Sequence, residues 1–154
     1  KASRKGIVPT ETGRRLIHDL KARIGDKKHI PRSDLTIGPS NVAILVKNAA
    51  SAVKNGLEQR DAAIKVGATG ATTLVFRRGK LQMPFVPEDA SEKEAAVREE
   101  LASELSPHEN DVVIIGTAND KSKAELGALA AALATTKAVH AVRGKEKQLF
   151  EDAA

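Results

Sequence analysis

Hydrophobic residues recur along the chain with changing period, and each period predicts an element. Leu16, Ile17, Leu20 and Ile24 form a narrow stripe at helical spacing, with Thr10 or Thr12 placed to cap the helix and Gly25 to end it. An apolar face this narrow cannot hold an isolated helix together, so the helix has to dock on the body of the protein or on a partner. From Asp26 to Pro39 the pattern lapses into Pro31, Gly38, Pro39 and the basic residues Lys27, Lys28, His29 and Arg32, which reads as a linker. Ser40 then predicts the cap of a second helix, in which Val42, Leu45, Val46, Ala49 and Val53 keep the 3.6 period up to Asn55-Gly56. Val42–Val46 alone also fits a buried strand, but the continuation through Ala49 and Val53 favours helix. A short third helix is expected over Glu58–Val66, broken by Gly67 and Gly70.

The period then shortens. Thr72–Arg77 and Lys80–Val86 are β-branched or alternating runs joined by Arg78-Gly79, which predicts a hairpin. Pro84 places its second strand at a sheet edge, and Pro87 ends it. Ser91-Glu-Lys-Glu94 has capping-box spacing and opens a helix to Leu105, with Val97, Leu101 and Leu105 inward and Glu92, Glu99, Glu100 and Glu104 outward. Val112–Ile115 is wholly apolar, as in a strand buried on both faces. Asp120–Thr136 reads as an Ala/Leu helix with Leu126, Leu129, Ala130 and Leu133 on one face, Ala138–Val142 as another strand, and Glu146–Ala153 as a closing helical turn or two. Residues 112–142 therefore predict a parallel βαβ unit. The expected fold class is α/β, of mixed α+β type: a compact body with a mixed sheet of about four strands flanked by helices. The expected units are a basic helical segment, 1–28, a Pro/Gly-containing linker, 29–39, and the compact domain, 40–154.

Composition narrows the chemistry. The 154 residues include no cysteine, which excludes disulfides, thiolate nucleophiles and Cys-ligated metals. The aromatic residues are Phe76, Phe85 and Phe150 alone, so the core must be aliphatic and alanine-rich. No apolar run approaches the ~18 residues of a membrane span, and no signal-peptide pattern is present. The absence of cysteine points to a cytoplasmic, bacterial-type origin. Lacking an initiator Met, the chain reads as a piece of a larger protein or a trimmed chain.

Charge separates the two halves. Residues 1–80 carry 17 basic and 6 acidic side chains, whereas residues 81–154 carry 8 and 14. Such asymmetry points to a polyanion or an acidic partner at the N-terminal end. The residues expected to bind it are Arg14, Arg15, Lys21, Arg23, Lys27, Lys28 and Arg32, with Arg77, Arg78 and Lys80 at the hairpin turn; Leu16, Leu20 and Ile24 would dock in an apolar groove. With no Tyr or Trp there is no stacking platform, so contact with nucleic acid would be electrostatic and weakly specific.

A second candidate is the loop from Gly116 to Ser122, after a buried strand and before a helix, where Gly116, Thr117, Asn119, Lys121 and Ser122 could bind an anion. Asn119 or Asp120 is equally explained as a helix cap, and the second glycine of a dinucleotide fingerprint is missing. Gly67–Thr73 precedes its strand and lacks the Walker lysine. His18, His29, His108 and His140 show no metal-ligand spacing, and no G-x-S-x-G elbow is present.

Gly6-Ile-Val-Pro-Thr-Glu-Thr-Gly13 is similar to a short stretch of type IA topoisomerases, over eight residues only. The layout of a small basic helical unit, a linker and an α/β body also resembles the C-terminal accessory domain of conjugative relaxase-helicases. Neither likeness carries residues or activity across. The expectation is a non-catalytic accessory domain of a bacterial nucleic-acid-handling protein, without metal or cofactor. It would be recruited through its basic helix to a nucleic-acid backbone or an acidic protein surface, and packed against other domains of its parent. The alternative is a small α/β enzyme or sensor that binds a phosphorylated ligand at the 116–122 loop.

Overall fold

In the computed structural model, residues 2–3, 6–84 and 92–153 are described. A two-stranded ribbon, β1 (Ala2–Ser3) and β2 (Gly6–Ile7), leads into α1 (Glu11–Arg23), whose first turn is capped by Thr10 accepting from the Gly13 N–H at 3.1 Å. The chain then enters β3 (Ile24–Ile30) directly and continues through β4 (Ser40–Val46), α2 (Leu57–Lys65), β5 (Gly70–Arg77), β6 (Lys80–Gln82), α3 (Glu92–Leu105), β7 (Val112–Ala118) and α4 (Lys121–Ala153).

Strands β3 to β7 form one sheet in the order β3-β4-β7-β5-β6, and every neighbouring pair is antiparallel. The last strand in sequence is thus the central one, lying between β4 and β5. The sheet is five-stranded and antiparallel, where four strands and a parallel βαβ unit were expected. Residues 138–142 are not the expected strand but part of α4, a single helix of 33 residues. Nothing between Lys121 and Ala153 breaks a helix outright, since an interior glycine such as Gly144 weakens a helix without ending it.

Residues 40–46 are a strand, not the expected helix. All of Asn41–Val46 is buried, because β4 is covered on both faces, so the alternation that marks a half-exposed strand is absent. Val42, Ile44 and Val46 face one core layer, while Ala43 and Leu45 face the other. The segment read as linker contains most of β3, which pairs with β4 from Ile24↔Val46 to Ile30↔Asn41 through a bulge between Ile24 and Lys27. Ile24 is the first residue of this strand and not the last of the helical stripe. The hairpin turn, α2, α3 and the doubly buried β7 stand where expected, and β6 is at the sheet edge. Phe85, Val86, Pro87 and the Ser91 cap lie outside the described residues.

Helices cover both faces. On one, α2 and α4 pack Ala63, Ala124, Ala128, Ala131, Ala132 and Val139 against Val42, Ile44, Val75, Val112 and Ile114. On the other, Leu101 and Leu105 of α3 meet Leu45, Leu74, Leu81, Val113 and Ile115. The inner face of α4 is therefore alanine, and its leucine face points outward, with Leu126 48% and Leu129 39% exposed. Small residues draw the helix close to β7: a Cβ on Gly116 would sit 2.3 Å from the Ala124 carbonyl oxygen and 2.5 Å from the Ala128 nitrogen. Buried polarity is paired across this layer, Gln59 Nε2 donating to Thr135 Oγ1 at 3.1 Å, which in turn donates to the Ala131 carbonyl at 2.8 Å.

Beyond Val139 no residue of α4 is buried, so its last 14 residues, about 20 Å of helix, run on past the core. Gly144 lies in this extension, and a Cβ there would meet nothing within 4 Å. Gly144→Ala is expected to raise stability by about 0.5–1 kcal/mol, through helix propensity alone. Denaturant unfolding followed at 222 nm checks it.

Candidate nucleic-acid interface

Strand register fixes which basic residues share an end of the molecule. Ile24 is opposite Val46, Val46 opposite Val112, and Val112 opposite Val75, two residues before Arg77. The C-terminus of α1 and the hairpin turn thus lie at the same end of the sheet. They occupy different edges, since β3 and β5 are three strand spacings, roughly 14 Å, apart. The expected single surface is divided into two basic groups.

The first group is α1. No residue of this helix is buried, and Arg14, His18 and Lys21 recur at i, i+4 and i+7 on one exposed face. No ion pair involves them among the described residues. Arg15 lies beside this face, 3.9 Å from Glu11 in a solvent-exposed pair. Leu16 and Ile17 are exposed, while Leu20 is half-buried. Preceding α1, the two residues that separate β1 from β2 in the sequence are Arg4 and Lys5. Arg23 has a structural role instead: its guanidinium donates to the Lys47 and Asn48 carbonyls, both at 3.3 Å, tying α1 to the end of β4. Burial and the neighbouring Arg143 hold this guanidinium below its ordinary pKa, against the opposing effect of Asp19. Asp19 also meets His140 of α4 at 3.5 Å.

The second group is the hairpin turn. Arg78 and Gly79 both have positive φ, 52° and 76°, as a two-residue hairpin turn of the primed type requires. The Glu109 carboxylate accepts from the Arg78 N–H at 3.0 Å. Arg77, Arg78 and Lys80 are exposed. Beside them is a shallow cavity of about 180 Å³ whose walls include Lys54, Arg77 and Gln82 over Val53, Val75 and Met83. Lys54 was missed in the sequence, where it is a lone lysine between a helix and a turn.

Of the remaining basic candidates, two are otherwise engaged. Lys27 is ion-paired with Glu125 of α4, and this hydrogen bond and charge hold the Glu125 carboxyl below the usual carboxylate range. Lys28, pointing to the opposite face of the sheet, meets Glu104 of α3 at 2.6 Å. Arg32 is exposed in the loop between β3 and β4.

Of the expected 116–122 loop, Gly116 and Thr117 lie instead within β7, buried and paired on both sides: Gly116 makes room for α4, and the Thr117 hydroxyl accepts from the Gly38 N–H at 2.8 Å. Asp120 caps α4 by accepting from the Lys123 N–H at 2.9 Å. Asn119, Lys121 and Ser122 are exposed. No group of three or more His, Asp or Glu side chains suited to a metal occurs among the described residues. Among the described residues, no helix is long and apolar enough to cross a membrane.

A family model described as "Domain of unknown function (DUF4443)" matches residues 37–136, which span β4 to the middle of α4. No curated protein matches the chain. Among solved structures, the hypothetical protein PH0730 from Pyrococcus horikoshii OT3 is similar, with 25% sequence identity and a TM-score of 0.57 over 83% of this chain. The match covers 65% of that protein's chain, so the sequence spans about two-thirds of its length.

Proposed function

Because the chain belongs to the DUF4443 family, whose description assigns no activity, we propose from the geometry of its N-terminal unit that it is a non-catalytic accessory domain of a cytoplasmic nucleic-acid-handling protein. The observation that carries this reading is the exposed α1 face of Arg14, His18 and Lys21, which make no ion pair among the described residues, while Lys27 and Lys28 are neutralised by the body. Helical spacing over two turns suits successive phosphates of one backbone strand, and such contacts position a protein without reading sequence. The α/β body acts as the scaffold, and Arg23 fixes the helix to it.

The test is binding of fluorescent duplex DNA across a salt series. Arg14→Ala/Lys21→Ala is expected to weaken binding and to lower the slope of log K against log salt by about 2, since each phosphate contact contributes about 0.9. The melting temperature should hold, because Arg14 and Lys21 are exposed and make no ion pair among the described residues. Lys27→Ala should leave the slope unchanged. Absence of binding by the unaltered chain at low salt, or an unchanged slope in the double variant, would overturn the proposal.

A further inference from the structure

The core-facing stripe of α4 does not stop where the core stops. Thr135, Val139, Val142, Glu146, Leu149 and Ala153 continue it at alternating spacings of four and three, the repeat that keeps one helix face against a partner helix. Thr135 and Val139 are buried and Val142 half-buried, but Leu149 is 69% exposed and the adjacent Phe150 80% exposed. Two large apolar side chains thus extend a packing surface that nothing in the described chain covers.

Charges beside the stripe indicate the occupant. Lys145 and Asp152 are seven residues apart and so flank the stripe on the same side. Lys145 has no ion-pair partner among the described residues, and Gln148 donates to the Asp152 carboxylate at 2.9 Å, holding it in place. When two copies of a helix pair antiparallel about a two-fold axis, like flanks face each other with their order reversed. With the axis between Gln148 and Leu149, Lys145 of each copy meets Asp152 of the other, giving two symmetric ion pairs. The same register sets the two Leu149 side chains at the axis and brings Phe150 against the aliphatic stem of the other copy's Lys147. Glu146 is the one charged residue within the stripe, and it keeps the pairing weak enough to be reversible.

We infer that the C-terminal extension of α4 is a homodimerisation element, pairing antiparallel with the same segment of a second copy. The inference does not depend on the nucleic-acid reading.

Sedimentation equilibrium of the 154-residue chain over a wide concentration range tests it. A reversible monomer–dimer equilibrium is expected. Leu149→Ala/Phe150→Ala should raise the dissociation constant at least tenfold with helicity and melting temperature retained at low concentration, since neither side chain is buried in the monomer. Lys145→Asp should weaken the dimer, and Lys145→Asp/Asp152→Lys should restore it. Glu146→Leu should tighten it. A monomer at every concentration overturns the inference, as does a dimer indifferent to the Leu149 and Phe150 changes. Failure of the charge exchange to restore association overturns the antiparallel register.

Discussion

Gly116→Ala is expected to destabilise the protein by about 3 kcal/mol, at the upper end of the cost of overfilling a packed core. The new methyl would press against the backbone of α4 at Ala124 and Ala128, with Ala128 Cβ only 2.9 Å from it. These atoms belong to the part of α4 held against the sheet by the buried Ala124, Ala128, Ala131 and Ala132, and no flexible side chain can turn aside. Relief requires α4 to lift from β7, which loosens the Ala131 and Ala132 contacts as well. For a chain of this size the melting temperature should fall by roughly 6–12 °C. Calorimetry of the variant checks this; a fall of less than a degree would show that helix and strand are not in contact at this point. Gly144→Ala on the same helix is the matching control, because its methyl enters open space and the expected change has the opposite sign.

Asp111→Ala should cost about 2–4 kcal/mol, the loss of two hydrogen bonds to a carboxylate in a buried setting. Asp111 is 5% exposed, and its two oxygens accept separately from the Asn48 and His108 N–H groups, each at 2.8 Å. Around it, the Asn110 carbonyl accepts from Ala49 and Ala50, and the Asp111 carbonyl from Phe76. One carboxylate therefore organises the loop after β4 and the turn before β7. Asp111→Asn keeps one acceptor oxygen and should recover part of the loss. Chemical denaturation of the three proteins gives the comparison. Equal stability of the alanine variant and the unaltered protein would mean that water replaces both bonds.

The sequence was readable where local chemistry decides the conformation. Arg78-Gly79 fixes its own turn, Leu101 and Leu105 set the inward face of α3, and Val112–Ile115 can only be interior. It was unreadable where the deciding partner is distant. Ile24–Ile30 carries Gly25, Asp26, Lys27, Lys28 and His29, a poor strand by propensity, and becomes β3 because β4 offers it an unpaired edge. Val42, Leu45, Val46 and Ala49 match a helical period by coincidence, since a strand buried on both faces leaves no alternation to detect. The leucines of α4 suggested its inner face, yet close approach to β7 selects the alanines. Among the basic residues, the sequence alone does not show which are neutralised by the fold. Glu125 lies 98 positions from Lys27, and Glu104 lies 76 positions from Lys28.

The position of β7 also bears on how the chain acquires its structure during synthesis. A ribosome adds residues in order, but β4 and β5 are not joined into one sheet until β7, made some 35 residues after β5, pairs with both. Until then the nascent chain holds one hairpin, β5–β6, and one ribbon, β3–β4, each with an open hydrogen-bonding edge of strongly aliphatic sequence. Such edges invite pairing with neighbouring chains. The central strand must clear the exit tunnel before either edge closes, so the sheet is completed only after β7 has been made.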